Sequence, residues 1–149
     1  MTHELRISRL IPAPPDEVFD AYVDPEKQKI WYNILEAEPM IVEVEVDLRV
    51  GGVWTNVWGR TRDELFRESQ VFTVIDRPRR LVTKATGSGP DGQTMETDVD
   101  VTFEERDGGT LVTVVQSGFP STEIRDFFGT MVWVGAFDRI TAYFAQAPA

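Results

Sequence analysis

No cysteine occurs among the 149 residues, which excludes disulfides, thiolate metal sites and cysteine nucleophiles together. Histidine is nearly as scarce. His3 stands alone near the amino terminus, so neither a histidine metal cluster nor a serine–histidine triad can be assembled. Basic charge is also short: 15 Lys and Arg face 25 Asp and Glu, and the net charge of −10 argues against nucleic acid as a partner, because phosphate binding needs clustered cations. The opening Met-Thr-His-Glu-Leu-Arg lacks the basic-then-apolar order of a signal peptide, and no apolar run reaches the roughly 18 residues of a membrane span. A cytoplasmic location without a membrane span is therefore expected. No metal, cofactor or catalytic residue is assigned, and without a linker or composition shift residues 1–149 read as one domain.

What is present is organised around the last apolar run. Pro120 ends the preceding segment, Ser121 or Thr122 can cap the next, and Glu123 and Asp126 suit a positive first turn, so one long helix is expected over Ser121 to Ala145 with a frayed Ala-Pro-Ala tail. At 1.5 Å per residue such a helix spans roughly 37 Å, which requires a broad surface beneath it. Its apolar residues, among them Ile124, Phe127, Phe128, Met131, Val134, Ile140 and Phe144, cover more than one stripe in the first half. Gly129 and Gly135 lie inside it. Each costs about 1 kcal/mol relative to alanine, and this suggests close packing or a ligand there unless both are merely tolerated.

Upstream, Glu4 to Leu10 reads as a strand closed by Pro12, Pro14 and Pro15; a short helix follows from Pro15, and a second opens at Asp24-Pro25 and ends near Tyr32. From Met40 the period becomes two. Met40, Val42, Val44, Val46 and Leu48 oppose Ile41, Glu43, Glu45 and Asp47, as in an antiparallel strand half in water. Further strands are expected over Val53–Trp58, Glu68–Ile75, Arg80–Thr86, Met95–Glu104 and Thr110–Gln116, with Gly59 to Phe66 charged and irregular. The Gly51-Gly52 pair lacks the third glycine, lysine and following helix of a phosphate cradle, and reads as a turn or bulge. The order of strand, two short helices, six strands and a long helix is an α+β arrangement.

Several stretches resemble a known family: Ile11-Pro12-Ala13-Pro14-Pro15-Asp16-Glu17-Val18-Phe19-Asp20-Ala21-Tyr22, then Asp24-Pro25-Glu26 with Trp31, Asp47-Leu48-Arg49-Val50-Gly51-Gly52-Val53-Trp54, Pro78-Arg79-Arg80-Leu81, and Gly109-Thr110-Leu111-Val112-Thr113. Together they resemble the START-like (SRPBCC, Bet v 1-like) superfamily, in the branch related to the C-terminal domain of the activator of heat-shock protein 90 ATPase. The resemblance implies a helix-grip fold like that of the birch pollen allergen, with a curved seven-stranded antiparallel sheet around a long C-terminal helix and two short helices after strand one. It also implies a cavity between sheet and helix, which relatives use for apolar ligands or, in a minority, for chemistry. Where many members of the branch carry Gly-Trp in the last helix, this chain has Val132-Trp133-Val134-Gly135-Ala136-Phe137.

Candidate cavity residues follow. Trp31, Trp54, Trp58 and Trp133 offer large rigid rings with an orienting N–H, unless they are core alone. Asn56 lies between two tryptophans on its strand face, and Thr97 is the one polar group between Met95 and Val99; either can orient a ligand or satisfy the backbone. Phe127, Met131 and Val134 complete the set from the helix. The expected function is binding of a small hydrophobic or amphipathic molecule. A polyketide cyclase or dehydratase-like enzyme is the alternative, resting on a cavity tyrosine such as Tyr22 or Tyr143. A chaperone-interaction module is the third reading, using the acidic strand faces at Ile41–Asp47 or Glu96–Glu104. A homodimer sharing the apolar last helix is also compatible with the pattern.

Overall fold

A computed structural model describes residues 3–145; the expected frayed tail at 147–149 lies outside them. Seven strands form one antiparallel sheet: β1 (His3–Ile11), β2 (Ile41–Val46), β3 (Val53–Gly59), β4 (Leu65–Asp76), β5 (Arg80–Ser88), β6 (Thr94–Arg106) and β7 (Gly109–Phe119). Their spatial order is β1-β7-β6-β5-β4-β3-β2. Strands β2 to β7 form a meander of successive hairpins, whereas β1 pairs with the last strand, so β1 and β2 occupy opposite edges. The connection between them must cross the sheet. It is made by α1 (Pro15–Val23) and α2 (Pro25–Asn33).

Proline at the first helical position starts both short helices, and Asp24 ends one while capping the next, its Oδ1 accepting from the Glu26 N–H at 2.9 Å and the Lys27 N–H at 3.3 Å. The Gly51-Gly52 pair forms the β2–β3 turn, with Gly51 at φ 85°. It also docks on the sheet. Gly51 N–H donates to the Phe72 carbonyl at 2.8 Å and Phe72 N–H to the Gly52 carbonyl at 3.1 Å, while a Cβ on Gly52 would run into the Asp47 carbonyl oxygen. Main-chain pairing of Gly59 with Leu65 starts β4 three residues before the expected Glu68, because a ladder tolerates charged side chains on its outer face.

The terminal rod begins where expected, with Ser121 Oγ accepting from the Ile124 N–H at 3.2 Å. It is not one uniform α-helix. Between α3 (Thr122–Phe127) and α4 (Trp133–Ala145) lies a π-helical turn, Phe128–Val132, in which the Trp133 N–H reaches back to the Phe128 carbonyl. One extra residue in the turn changes the angular phase of everything after it. A Cβ at Gly129 meets nothing within 4 Å, and one at Gly135 meets the end of the flexible Arg139 side chain at 2.9 Å, so close packing against the sheet is not what keeps these glycines.

Candidate functional site

The two halves of the rod meet the sheet differently. In the C-terminal half, Phe137 and Ile140 pack against Ile11, Val18, Val101, Phe103 and Val112 and leave about 10 Å³, no more than one water needs. In the N-terminal half the rod stands away from the sheet. The gap there is a cavity of about 500 Å³, and Tyr22, Trp54 and Trp133, with Tyr22 and Trp54 edge to face at 5.2 Å, stand at its inner end.

Trp31, Trp54, Asn56, Trp58, Met95, Thr97, Val99, Phe127 and Met131 all line this cavity, as does Trp133. Val134 does not. The π turn advances the helix by one residue, so Trp133 and Ala136 face the cavity and Val134 turns away from it. Phe127 and Met131 are more than half exposed and form the rim together with Phe66 and the β5–β6 loop around Gly89. Tyr143 packs against Phe144 and lies outside the lining.

The four indoles have separate fates. Trp31 donates its Nε1–H to the Ala21 carbonyl at 2.8 Å and ties α2 to α1. Trp133 donates to Gln116 Oε1 at 2.8 Å, and Gln116 Nε2 donates to Thr97 Oγ1 at 2.9 Å, forming a buried relay from the rod to β7 and β6. Thr97 thus accepts from a side chain, with its own hydroxyl proton still available. Trp58 stacks on Phe66 with ring centroids 5.8 Å apart. Trp54 stacks on Phe72, yet its buried Nε1 has no partner. Nor do Asn56 Oδ1, either polar atom of the Gln28 side chain or Arg139 Nε, all on cavity-lining residues. Buried polar groups are ordinarily hydrogen-bonded, and these orphans, donors and acceptors both, come from β3, α2 and α4 around one cavity.

Glu68, which the sequence pattern alone does not single out, also lines the cavity. Its carboxylate accepts from Gln70 Nε2 at 2.8 Å, and Gln70 Oε1 accepts from Thr83 Oγ1 at 2.6 Å. Burial pushes the Glu68 carboxyl up to about 7 against the opposing pull of the Gln70 hydrogen bond. Burial, then the charge of Glu68, pushes the Tyr22 and Tyr32 hydroxyls well above the usual phenol range. All three are partly buried side chains on the lining of the same cavity. Glu36 accepts from Arg60 at 3.3 Å and from Arg139 at 3.2 Å beside it. Glu68 was legible by parity: buried Phe72 faces the interior, and a period of two places Gln70 and Glu68 on the same side. For Gln28 and Gln116 no comparable signal exists, since a short helix and a β-branched run leave the inward face ambiguous.

Comparison with known proteins agrees with this architecture. Residues 12–145 match the family described as Activator of Hsp90 ATPase homolog 1-like protein. The chain belongs to that family. Through the family and its helix-grip fold it belongs to the START-like superfamily. No curated protein matches it in sequence. Among solved structures, Ms6760 from Mycobacterium smegmatis is similar at 23% identity and TM-score 0.76, covering 98% of this chain and 93% of its own. CalU16 from Micromonospora echinospora is similar at 22% identity and TM-score 0.67, over 99% of this family member and 78% of its own chain. DynU16, from the dynemicin biosynthetic locus, matches at 20% identity and TM-score 0.71 over 96% of this chain and 47% of its own. At these identities the likeness is one of fold. Among the described residues no helix is long and apolar enough to cross a membrane.

Proposed function

We propose that this protein binds a small amphipathic molecule in the cavity between the sheet and the N-terminal half of the terminal rod, apolar body toward the rim and polar group inward. The observation that carries the reading is the coincidence of a roomy aromatic wall with the orphaned Trp54 Nε1, Asn56 Oδ1 and Gln28 amide. About 500 Å³ lies within the usual range for ligand sites. A ligand burying some 200 Å² of apolar surface gains on the order of 5 kcal/mol before ordering costs. The family and fold support a ligand-binding domain in the same sense.

The test uses the neutral fluorophore N-phenyl-1-naphthylamine as probe. Its emission should rise saturably at one probe per chain. Gly87→Leu should abolish the rise, because Gly87 lines the cavity and a Cβ there meets only the Arg67 carbonyl oxygen at 3.9 Å, leaving a larger side chain to fill the space. Uptake unchanged in that variant, or no uptake at all, contradicts the reading.

One observation favours a second reading. A cyclase or dehydratase-like enzyme needs an ionisable or tyrosine group in the cavity, and Glu68, Tyr22 and Tyr32 are there. Turnover of aromatic polyketide intermediates, lowered by Tyr22→Phe, would support it. The chaperone reading gains less support, since Glu43 pairs with Arg62 at 2.7 Å, Asp100 with Arg80 at 2.7 Å and Asp98 with Lys84 at 3.3 Å, which neutralises much of the acidic faces. Exposed Ile124, Phe127, Met131 and Val132 form the apolar surface a dimer would share, and the last three of them line the cavity.

A further inference from the structure

We propose that the polar group this cavity accepts is a protonated amine, held by the Glu68 carboxylate inside a wall of aromatic rings; the inference rests on the cavity being a ligand site. Glu68 lines the cavity and accepts one hydrogen bond, from neutral Gln70. Among the described residues no Lys or Arg pairs with it. Arg139 and Arg67 also line the cavity, but Arg139, like Arg60, engages Glu36 through a terminal nitrogen while its Nε stays unpartnered, and Arg67, on the opposite parity of β4, is exposed. A carboxylate within a protein wall without a cation is costly, and a cationic ligand removes that cost.

Beside the carboxylate, two unpartnered acceptors of the cavity suit an ammonium. Asn56 lies opposite Glu68 in the β3–β4 register, and its unpartnered Oδ1 is an acceptor, as is the unpartnered Oε1 of Gln28. An ammonium brings three donors to these acceptors. An anion would meet Glu68 itself, and a ketone or ester would bring no donor to Asn56; the unpartnered donors Trp54 Nε1, Gln28 Nε2 and Arg139 Nε call for an acceptor atom elsewhere on the same ligand. The rings of Tyr22, Trp54, Tyr32 and Trp58 line the same space, and a ring face met by an entering cation attracts it. On the other flank Glu68 pairs in register with Gly87, where the lack of a side chain leaves room for the head group.

Charge on Glu68 then controls the selectivity. The groups facing it are Tyr22 on α1, Tyr32 on α2, Asn56 on β3 and Gln70 on its own strand, with Arg139 of α4 beside Tyr32 and paired to Glu36. None of the uncharged neighbours titrates near neutrality, and burial holds the Glu68 carboxyl near 7. The empty site is therefore largely protonated at about pH 6 and ionised at about pH 8. Preference for a cation rises across that interval, and a cation entering below neutrality expels a proton.

Three matched probes separate the possibilities by titration calorimetry at pH 6 and pH 8: 2-(1-naphthyl)ethylamine, 2-(1-naphthyl)ethanol and 1-naphthylacetate. At pH 8 the amine should bind at least tenfold tighter than the alcohol, with the acetate weakest, and the amine-to-alcohol ratio should shrink at pH 6. Glu68→Gln should weaken the amine and bring the ratio within threefold. If that variant fails to fold, the wild type at pH 6.5 in two buffers of different ionisation enthalpy must show proton release with the amine and none with the alcohol. Equal binding of amine and alcohol, preference for the acetate, or a tenfold preference surviving in Glu68→Gln overturns the amine inference and leaves the cavity reading standing. Failure of all three probes to bind overturns both.

Discussion

Glu68 lies directly across the β3–β4 ladder from Asn56, so an ionisable carboxyl and an unpartnered amide oxygen share one wall of the cavity. An empty protein holding both is less stable than it need be. Replacing Asn56 by Leu removes the orphaned oxygen at similar volume, and the variant should gain about 1 kcal/mol or more in urea unfolding while binding amphipathic probes more weakly. Lower stability together with unchanged binding would show that the amide serves the empty fold.

The pH dependence of stability has a definite sign. The folded Glu68 carboxyl, at about 7, lies above the ordinary 4.5, so between these values the folded chain keeps a proton that the unfolded chain has released. The stability attached to this group is fully present below about pH 4.5 and is lost as pH rises through 7. Its size is on the order of 3 kcal/mol. Glu68→Gln lacks it, so the difference in unfolding free energy between variant and wild type should grow in the variant's favour from pH 4.5 to 7.5. Parallel pH profiles would place the carboxyl in ordinary solvent.

Trp133→Phe removes the donor to Gln116 Oε1 and leaves a buried acceptor unpaired. A loss of about 1–3 kcal/mol is expected, which for a chain of this size lowers the midpoint of thermal unfolding by several degrees. A shift below one degree would mean the relay from the rod to Thr97 carries no stability.

Met131 at the rim is 62% exposed. Met131→Glu should change unfolding free energy by less than about 0.5 kcal/mol, as exposed substitutions do, and yet weaken uptake of N-phenyl-1-naphthylamine severalfold. Unaltered uptake would move the entrance elsewhere.

Much of this was legible in the sequence because it is carried by periodicity. Alternation from Met40 to Leu48 and from Met95 to Glu104, the proline starts at Pro15 and Pro25, and the Ser121 cap led directly to strands and helices found in place. The cavity itself was implied by the family resemblance and not by periodicity; of the ten residues singled out for it, nine line it. Val134 does not, because a π turn changes helical phase without a sequence marker that propensity can register. Glu68 escaped notice for a different reason. Its strand carries polar residues on both faces, and a carboxylate there reads as solvated until buried Phe72 fixes the parity. The orphaned atoms are invisible to sequence altogether, since they are defined by partners that the fold fails to supply.

Native mass spectrometry of the protein purified from its own host, beside Gly87→Leu prepared identically, addresses the occupied cavity most directly. The wild type should carry one small molecule per chain, released on activation, and Gly87→Leu should fly at its bare mass. Bare mass for both, or the same adduct on both, would contradict a ligand held between the sheet and the terminal rod.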